Sequence, residues 1–83
     1  MIFVPNRPLL FQKRLAYHTR RLRGERQWTQ EDLAHKAELH RNQIGVIEQG
    51  TRNTGLDILE KLCRAFKVGP EELLGPESQP SAD

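Results

Sequence analysis

The chain has 83 residues, 29% of them charged, and carries a formal net charge of +2. A domain of this size buries only about 60% of its unfolded surface and forms a single core, so we expect no second domain. Cys63 is the single cysteine, which excludes an intrachain disulfide and indicates a reducing, cytoplasmic location. Its apolar neighbours on a predicted helix are typical of a small core side chain rather than a nucleophile.

Positive charge is concentrated in the first third of the chain. Residues 1–28 carry seven Lys or Arg and one acidic residue, whereas residues 29–83 carry six Lys or Arg and ten acidic residues. Arginines in such a segment can lie near nucleic-acid phosphates, although a solvated helix face is the expected place for most of them.

The two ends are predicted to lie outside the folded domain. Residues 1–7 form an N-terminal extension, residues 8–75 the domain and residues 76–83 a polar, disordered tail. The extension begins with apolar residues, but Pro5 and Pro8 interrupt it and no run is long enough for a membrane span. The charged start and the cleavage site of a signal peptide are also missing. We therefore expect no membrane partner, and residues 2–4 can pack either on the domain itself or on a second subunit.

Five helices are predicted in chain order, over residues 8–25, 29–36, 40–48, 56–67 and 70–74. Thr29 is a favourable residue before the second helix, and with Asp32 it forms an approximate capping box. Pro70 follows Gly69 and suits the first position of the last helix. The predicted core contains Leu15, Leu22, Trp28, Leu33, Ile44, Ile47, Leu56, Leu59, Leu62, Phe66, Val68 and Leu73.

The predicted third helix has two different faces. A helix advances about 100° per residue, so Ile44 and Ile47 point to one side. The opposite side is a polar, mostly uncharged strip that includes Arg41, Asn42 and Val46. Arginine can pair with guanine and asparagine with adenine, while valine can contact a thymine methyl group. An ordinary amphipathic helix also has a polar outer face, so this strip alone does not decide between readout and solvation.

Three segments together carry a resemblance to a known family. They are RLRGERQWTQEDLA at residues 21–34, HRNQIGVIEQGTRN at residues 40–53 and LDILEKLCRAFKVGPEELL at residues 56–74. These motifs resemble the XRE-like helix-turn-helix DNA-binding family of lambda Cro and the phage repressors. The core motif also resembles the small controller proteins of restriction-modification systems. The resemblance implies an all-α, compact five-helix domain with its helix-turn-helix at about residues 29–49.

The resemblance also implies roles for individual residues. Arg41, Asn42 and Val46 occupy the base-reading positions of the family. Arg23 and Glu48 match a structural ion pair that fixes the angle of the reading helix. The positions implied to contact the DNA backbone are Thr29, Gln30, His40, Gln49, Arg52 and Asn53.

The chain departs from the family pattern at four positions. Gln27 and Glu38 stand where glycine is usual, at turns that often need a positive φ, so these turns are either different or strained. Thr19 replaces a large aliphatic residue. Gly45 is a glycine within a helix and lies on its exposed face, which either close approach to DNA or tolerated variation explains.

The sequence therefore predicts a sequence-specific transcriptional regulator that binds double-stranded DNA as a homodimer on a two-fold symmetric operator. The resemblance implies that the subunits associate through the C-terminal helices. The alternative is a protein-interaction module of the antitoxin-like kind, which the hydrophobic N-terminal segment would favour. We expect no enzyme, metal, cofactor or small-molecule ligand, because His18, His35 and His40 lack metal-ligand spacing and no catalytic motif is present.

Overall fold

The described part of the computed structural model, residues 10–77, consists of helices and connecting turns. The helices are α1 (Leu10–Glu25), α2 (Gln30–Ala37), α3 (Arg41–Gln49), α4 (Leu56–Phe66) and α5 (Pro70–Leu74). The predicted helix bounds are confirmed to within one residue, apart from the start at residue 8. That start, the predicted extension at 1–7 and the tail beyond residue 77 lie outside the described residues.

A capping box opens α2, as predicted. The Thr29 hydroxyl accepts a hydrogen bond from the Asp32 amide at 3.0 Å, and the Asp32 carboxylate accepts one from the Thr29 amide at 2.8 Å. At the start of α3 the side chain of Gln43 accepts a hydrogen bond from the His40 amide at 2.9 Å. These local bonds satisfy amides that a helix terminus leaves without partners.

Within residues 10–77, three turns contain a residue other than glycine in the left-handed conformation. The φ angles are 59° at Gln27, 59° at Glu38 and 62° at Lys67. Each such residue costs about 1 to 2 kcal/mol relative to the right-handed conformation. The turns at Gln27 and Glu38 are therefore strained rather than rebuilt, and Lys67 is a third strained turn that the sequence did not indicate.

Helix α1 packs on α3 and α5, and α2 packs on α3 and α4. The core lies between these helices. Leu33, Ile44, Leu62 and Leu73 are fully buried, and Phe66 stacks on the half-buried Trp28. Most of the predicted core is confirmed, with Trp28, Leu59 and Val68 partly buried at its edge.

Leu56 is a wrong core prediction, because its side chain is 82% exposed. Its spacing places it on the same helix face as Leu59. Leu56 is, however, the first residue of α4, and this end of the helix lies outside the core.

Two polar side chains of α1, those of His18 and Thr19, are buried, and they differ in their hydrogen bonds. His18 contacts the carbonyl oxygens of Gly75 and Pro76 through Nε2 at 3.0 and 3.1 Å, while its Nδ1 faces Nε of Arg21 at 3.2 Å. Nε2 therefore donates and Nδ1 accepts, which ties α1 to the segment after α5. Thr19, one of the residues that depart from the family pattern, is fully buried, and its hydroxyl has no hydrogen-bond partner among the described residues.

Within residues 10–77, none of the helices has the length and apolar character that crossing a bilayer requires. The same stretch holds no group of three or more His, Cys, Asp or Glu side chains placed to bind a metal ion.

Candidate nucleic-acid interface

Helix α3 presents one face to the core and the other to solvent. Ile44 and Ile47 are buried against the neighbouring helices. Arg41 and Asn42 are exposed, and Val46 is half-buried on the opposite side. The predicted separation of apolar and polar faces on this helix is therefore present in the structure.

Gly45 lies in the middle of this outer face. A Cβ atom added there would meet no neighbouring heavy atom within 4 Å. Packing inside the domain therefore does not require glycine at this position, even though glycine within a helix costs about 1 kcal/mol relative to alanine.

The end of α3 is held by an ion pair to α1. Nε and Nη2 of Arg23 donate to the two carboxylate oxygens of Glu48 at 2.7 and 3.1 Å, and Nη1 donates to the Trp28 carbonyl at 2.9 Å. The Glu48 side chain is 6% exposed and that of Arg23 is 23% exposed. The hydrogen bonds to Glu48 raise the pKa of Arg23, and they outweigh the opposing effect of its burial. A two-pronged bond of this kind fixes orientation as well as distance.

Gln30 connects this ion pair to the first residue of α3. Its Nε2 donates to Oε1 of Glu48 at 3.0 Å, and its Oε1 accepts from Nη1 of Arg41 at 3.4 Å. The family resemblance implies that Gln30 contacts the DNA backbone, and the structure places its side chain half-buried between two protein partners. Arg23, Glu48, Gln30 and Arg41 thus form a continuous set of contacts, which we call the side-chain relay.

The residues with implied backbone contacts are spread around α3. Thr29 and Gln30 line a shallow hollow at the start of α2, together with Arg41. Arg52 and Asn53 line a second hollow with Asn42 and Val46. His40 and Gln49 are exposed at the two ends of α3 and lie outside both hollows.

Two α1 side chains, for which the sequence predicted no contact with α3 or the segment after it, support this surface. Nε2 of Gln12 donates to Oδ1 of Asn53 at 2.7 Å, and Arg20 donates to the backbone carbonyl of Glu48. The spacing of Arg20 and Arg23 was the available signal, because residues three apart share a helix face. Nothing local indicated Gln12, whose partner is 41 residues away in sequence.

Close packing explains how α1 reaches the end of α3. Gly50 follows α3 with a φ of 73°, and a Cβ atom there would lie 3.1 Å from the Cβ of Ala16. The family glycine in this position therefore has both a conformational and a packing reason.

The arrangement of α2, the connecting turn and α3 is that of a helix-turn-helix. The sequence pattern that defines the family described as helix-turn-helix matches residues 20–73. The chain belongs to this helix-turn-helix family, which confirms the predicted resemblance.

Similar proteins include control protein C.BamHI of Bacillus amyloliquefaciens, with 50% identity over 46 residues that make up 55% of this chain. A hypothetical transcription factor of Neisseria meningitidis serogroup B is 34% identical over 65 residues, or 78% of this chain. The chain spans 57% and 61% of the lengths of these two relatives.

Solved structures show the same fold. The restriction-modification controller protein C.AhdI from Aeromonas hydrophila has a TM-score of 0.70 and 34% identity, covering 75% of this chain and 94% of that one. The crystal structure of the hypothetical transcription factor NHTF from Neisseria gives a TM-score of 0.75 and 30% identity, covering 92% of this chain and 91% of that one. The predicted all-α, five-helix class is confirmed.

Proposed function

We propose that the chain is a sequence-specific DNA-binding transcriptional regulator that acts as a homodimer on a two-fold symmetric operator. The observation that carries the proposal is α3, which is anchored by buried isoleucines on one face and presents Arg41, Asn42 and Val46 on the other. The relatives named as control proteins and as a transcription factor support it.

In this proposal α3 enters the major groove and its first residues read base edges. Arg41 is the first residue of the helix, and its single weak contact to Gln30 leaves guanidinium donors free for a guanine. Asn42 is fully available to pair with an adenine, and Val46 is one turn further along to contact a thymine methyl group. One short helix reads few base pairs, so two copies on half-sites about 34 to 36 Å apart supply the missing specificity.

The backbone contacts position the helix without reading sequence. The start of α2, at Thr29 and Gln30, has the partial positive charge and the amide donors that suit a phosphate. Arg52 and Asn53 follow α3 and are exposed next to Asn42 and Val46. Contacts of this kind set the register of the protein on the duplex, while the outer face of α3 carries the choice of sequence.

The direct test is selection of bound duplexes from a random DNA pool, followed by anisotropy titrations of the enriched sequence and of random DNA at two salt concentrations. We expect a two-fold symmetric site bound about a thousandfold or more tightly than random DNA. Salt-sensitive binding without enrichment would contradict the proposal. That result would favour the alternative, a protein-interaction module in which DNA binding is secondary.

Two variants separate base reading from backbone contact. Arg41→Ala should lose about 1 to 3 kcal/mol of binding to the selected site and relax the preference at one base pair. Arg52→Ala should weaken selected and random DNA alike and lower the salt slope by about 1. Arg64→Ala is the matched control, because Arg64 is exposed on α4 and pairs with the exposed Glu60. Equal losses on both DNAs for Arg41→Ala would overturn its assignment as a reading residue.

A further inference from the structure

Gly45 is a glycine that the domain itself does not require. It lies within α3, and a Cβ atom added there would meet no neighbouring heavy atom within 4 Å. Among the glycines of residues 10–77 only Gly50 has a positive φ, so the backbone conformation of Gly45 is open to any residue. Glycine within a helix is unfavourable, because it loses more conformational freedom on folding than other residues do. Any role of Gly45 therefore lies outside the fold of the domain.

Gly45 lies near the middle of the outer face of α3. With a rotation of about 100° per residue, this face extends over about 140° from Arg41 to Val46, and Gly45 lies about 40° from Arg41. Arg41 and Gln49 are about one turn before and one turn after Gly45, and both are exposed. The face that meets DNA in the proposed function thus has a gap in its side-chain layer, between two long polar side chains.

The dimensions of a helix and of the major groove make this gap important. A helix with its side chains is about 10 to 12 Å across and the major groove of B-DNA is about 12 Å wide, so α3 would enter with little clearance. The Cα atoms lie about 2.3 Å from the helix axis, which leaves a side-chain layer of about 3 Å. Without a side chain at Gly45, α3 can lie deeper in the groove by up to this thickness. The depth matters because Asn42 and Val46 have short side chains.

We propose that Gly45 is a specificity-determining residue, because its missing side chain lets the backbone of α3 contact the base-pair edges on the floor of the major groove. The inference rests on the proposed function and adds to it a position that contributes no side chain. Close approach of the backbone to a ligand is one of the uses that proteins make of glycine. A Cβ atom in the gap would hold Asn42 and Val46 away from the bases that they read.

The anchoring of α3 opposes any movement of the helix that would make room for a side chain. Arg23 donates two hydrogen bonds to the Glu48 carboxylate, and Arg20 donates one to the Glu48 carbonyl. At the end of α3, a Cβ atom on Gly50 would lie 3.1 Å from the Cβ of Ala16, so α1 and this end already pack closely. A side chain in the gap therefore moves the whole domain away from the DNA and does not turn α3 within the domain.

The test compares Gly45→Ala and Gly45→Leu with the wild type in anisotropy titrations on the selected duplex and on random DNA. Alanine and leucine are both strong helix formers, so both variants should fold, with Gly45→Ala melting about 4 to 8 °C above the wild type. On the selected duplex the dissociation constant should rise about tenfold for Gly45→Ala and about a hundredfold for Gly45→Leu, because each added carbon enlarges the steric overlap. Binding to random DNA relies on phosphate contacts and should change by less than about twofold.

Gly24→Ala is the matched control. Gly24 is also helical, and a Cβ atom added to it would also meet no heavy atom within 4 Å. It lies on α1, outside the two hollows beside α3. Gly24→Ala should therefore bind both DNAs as the wild type does.

Three results would overturn the inference while leaving the proposed function in place. Unchanged binding of both Gly45 variants to the selected duplex would mean that α3 does not approach the DNA closely at this position. Equal losses for alanine and leucine would assign the effect to helix flexibility, because the two residues differ mainly in size. Equal losses on selected and random DNA would place Gly45 against the sugar-phosphate backbone. A wild-type chain that enriches no site would overturn the proposed function and this inference with it.

Discussion

The ion pair between Arg23 and Glu48 gives the sharpest test of how α3 is held in the domain. Arg23→Met keeps the apolar stem of the side chain but removes three hydrogen bonds, two to Glu48 and one to the Trp28 carbonyl. The Glu48 carboxylate, 6% exposed, then keeps only Gln30 as its side-chain donor. Stranding a buried charge costs about 3 to 5 kcal/mol, and the partial exposure of Arg23 places the expected loss near the lower value of about 3 kcal/mol.

A loss of this size is large for a domain of 83 residues. At about 0.05 to 0.15 kcal/mol per residue its unfolding free energy is about 4 to 12 kcal/mol. Each kcal/mol lowers Tm by about 4 to 8 °C in domains of this size, so Arg23→Met should melt about 12 to 24 °C lower. The double variant Arg23→Met/Glu48→Met removes both charges together. Its loss of unfolding free energy should be about 2 kcal/mol smaller than the sum of the losses of the two single variants.

The measurement is urea unfolding followed by circular dichroism at neutral pH for the wild type, both single variants and the double variant. Arg64→Met is the control, since Arg64 on α4 pairs with Glu60 and the two side chains are 77% and 63% exposed. Exposed pairs contribute about 1 kcal/mol or less, so this variant should lose far less stability than Arg23→Met. Additive losses in the double variant, or a loss below about 1 kcal/mol for Arg23→Met, would refute the reasoning that α3 is anchored by a buried ion pair.

Three further changes test the strained and polar sites of the domain. Thr19→Val should raise the unfolding free energy by about 1 to 3 kcal/mol, because it removes a buried hydroxyl that has no partner among the described residues and hardly changes the shape of the side chain. A lower unfolding free energy of the variant in urea would mean that the hydroxyl is hydrogen-bonded. Glu38→Gly should stabilise the domain by up to about 1 kcal/mol in the same assay, because relief of the left-handed strain exceeds the added flexibility of the unfolded chain; an unchanged or lower midpoint would contradict this. The amide and hydroxyl of Thr29 lower the pKa of Asp32, so the stabilising effect of this carboxylate is present above its unfolded pKa and is lost as pH falls through the folded one. Asp32→Asn should therefore make the unfolding free energy depend less steeply on pH below about pH 4. An NMR titration that gives Asp32 the ordinary pKa of an aspartate would count against the cap.

Local sequence signals predicted the helices because their causes are local. The cap at Thr29, the proline at the start of α5 and the spacing of apolar residues each depend on neighbours within a few positions. The two faces of α3 follow from the same periodicity. The roles of the site residues came from the family resemblance. The contact between Arg23 and Glu48 lies within the domain, so a structure without DNA can show it.

Features that depend on how helices cross could not be predicted from the sequence. Leu56 has the spacing of a core residue, but the position of α4 leaves it in solvent. Gln12 and Asn53 meet only because α1 packs closely on the end of α3. Gln30 is near the start of α2 in the sequence, and its hydrogen bond to the buried carboxylate of Glu48 depends on how α2 packs on α3. In each case the deciding partner is remote in sequence.

Under the proposed function, the side-chain relay constrains how the recognition of DNA can change. Oε1 of Glu48 accepts from both Arg23 and Gln30, and Gln30 in turn contacts Arg41. Substitution of Arg23, Glu48 or Gln30 therefore alters the anchoring of α3 and the surroundings of Arg41 together, whereas substitution of Arg41 removes one partner of Gln30. Asn42 and Val46 have no part in the relay and can be exchanged without disturbing it. A lineage that drifts toward a new target sequence should accumulate its first changes at these two independent positions, with Arg41 among the last to be replaced.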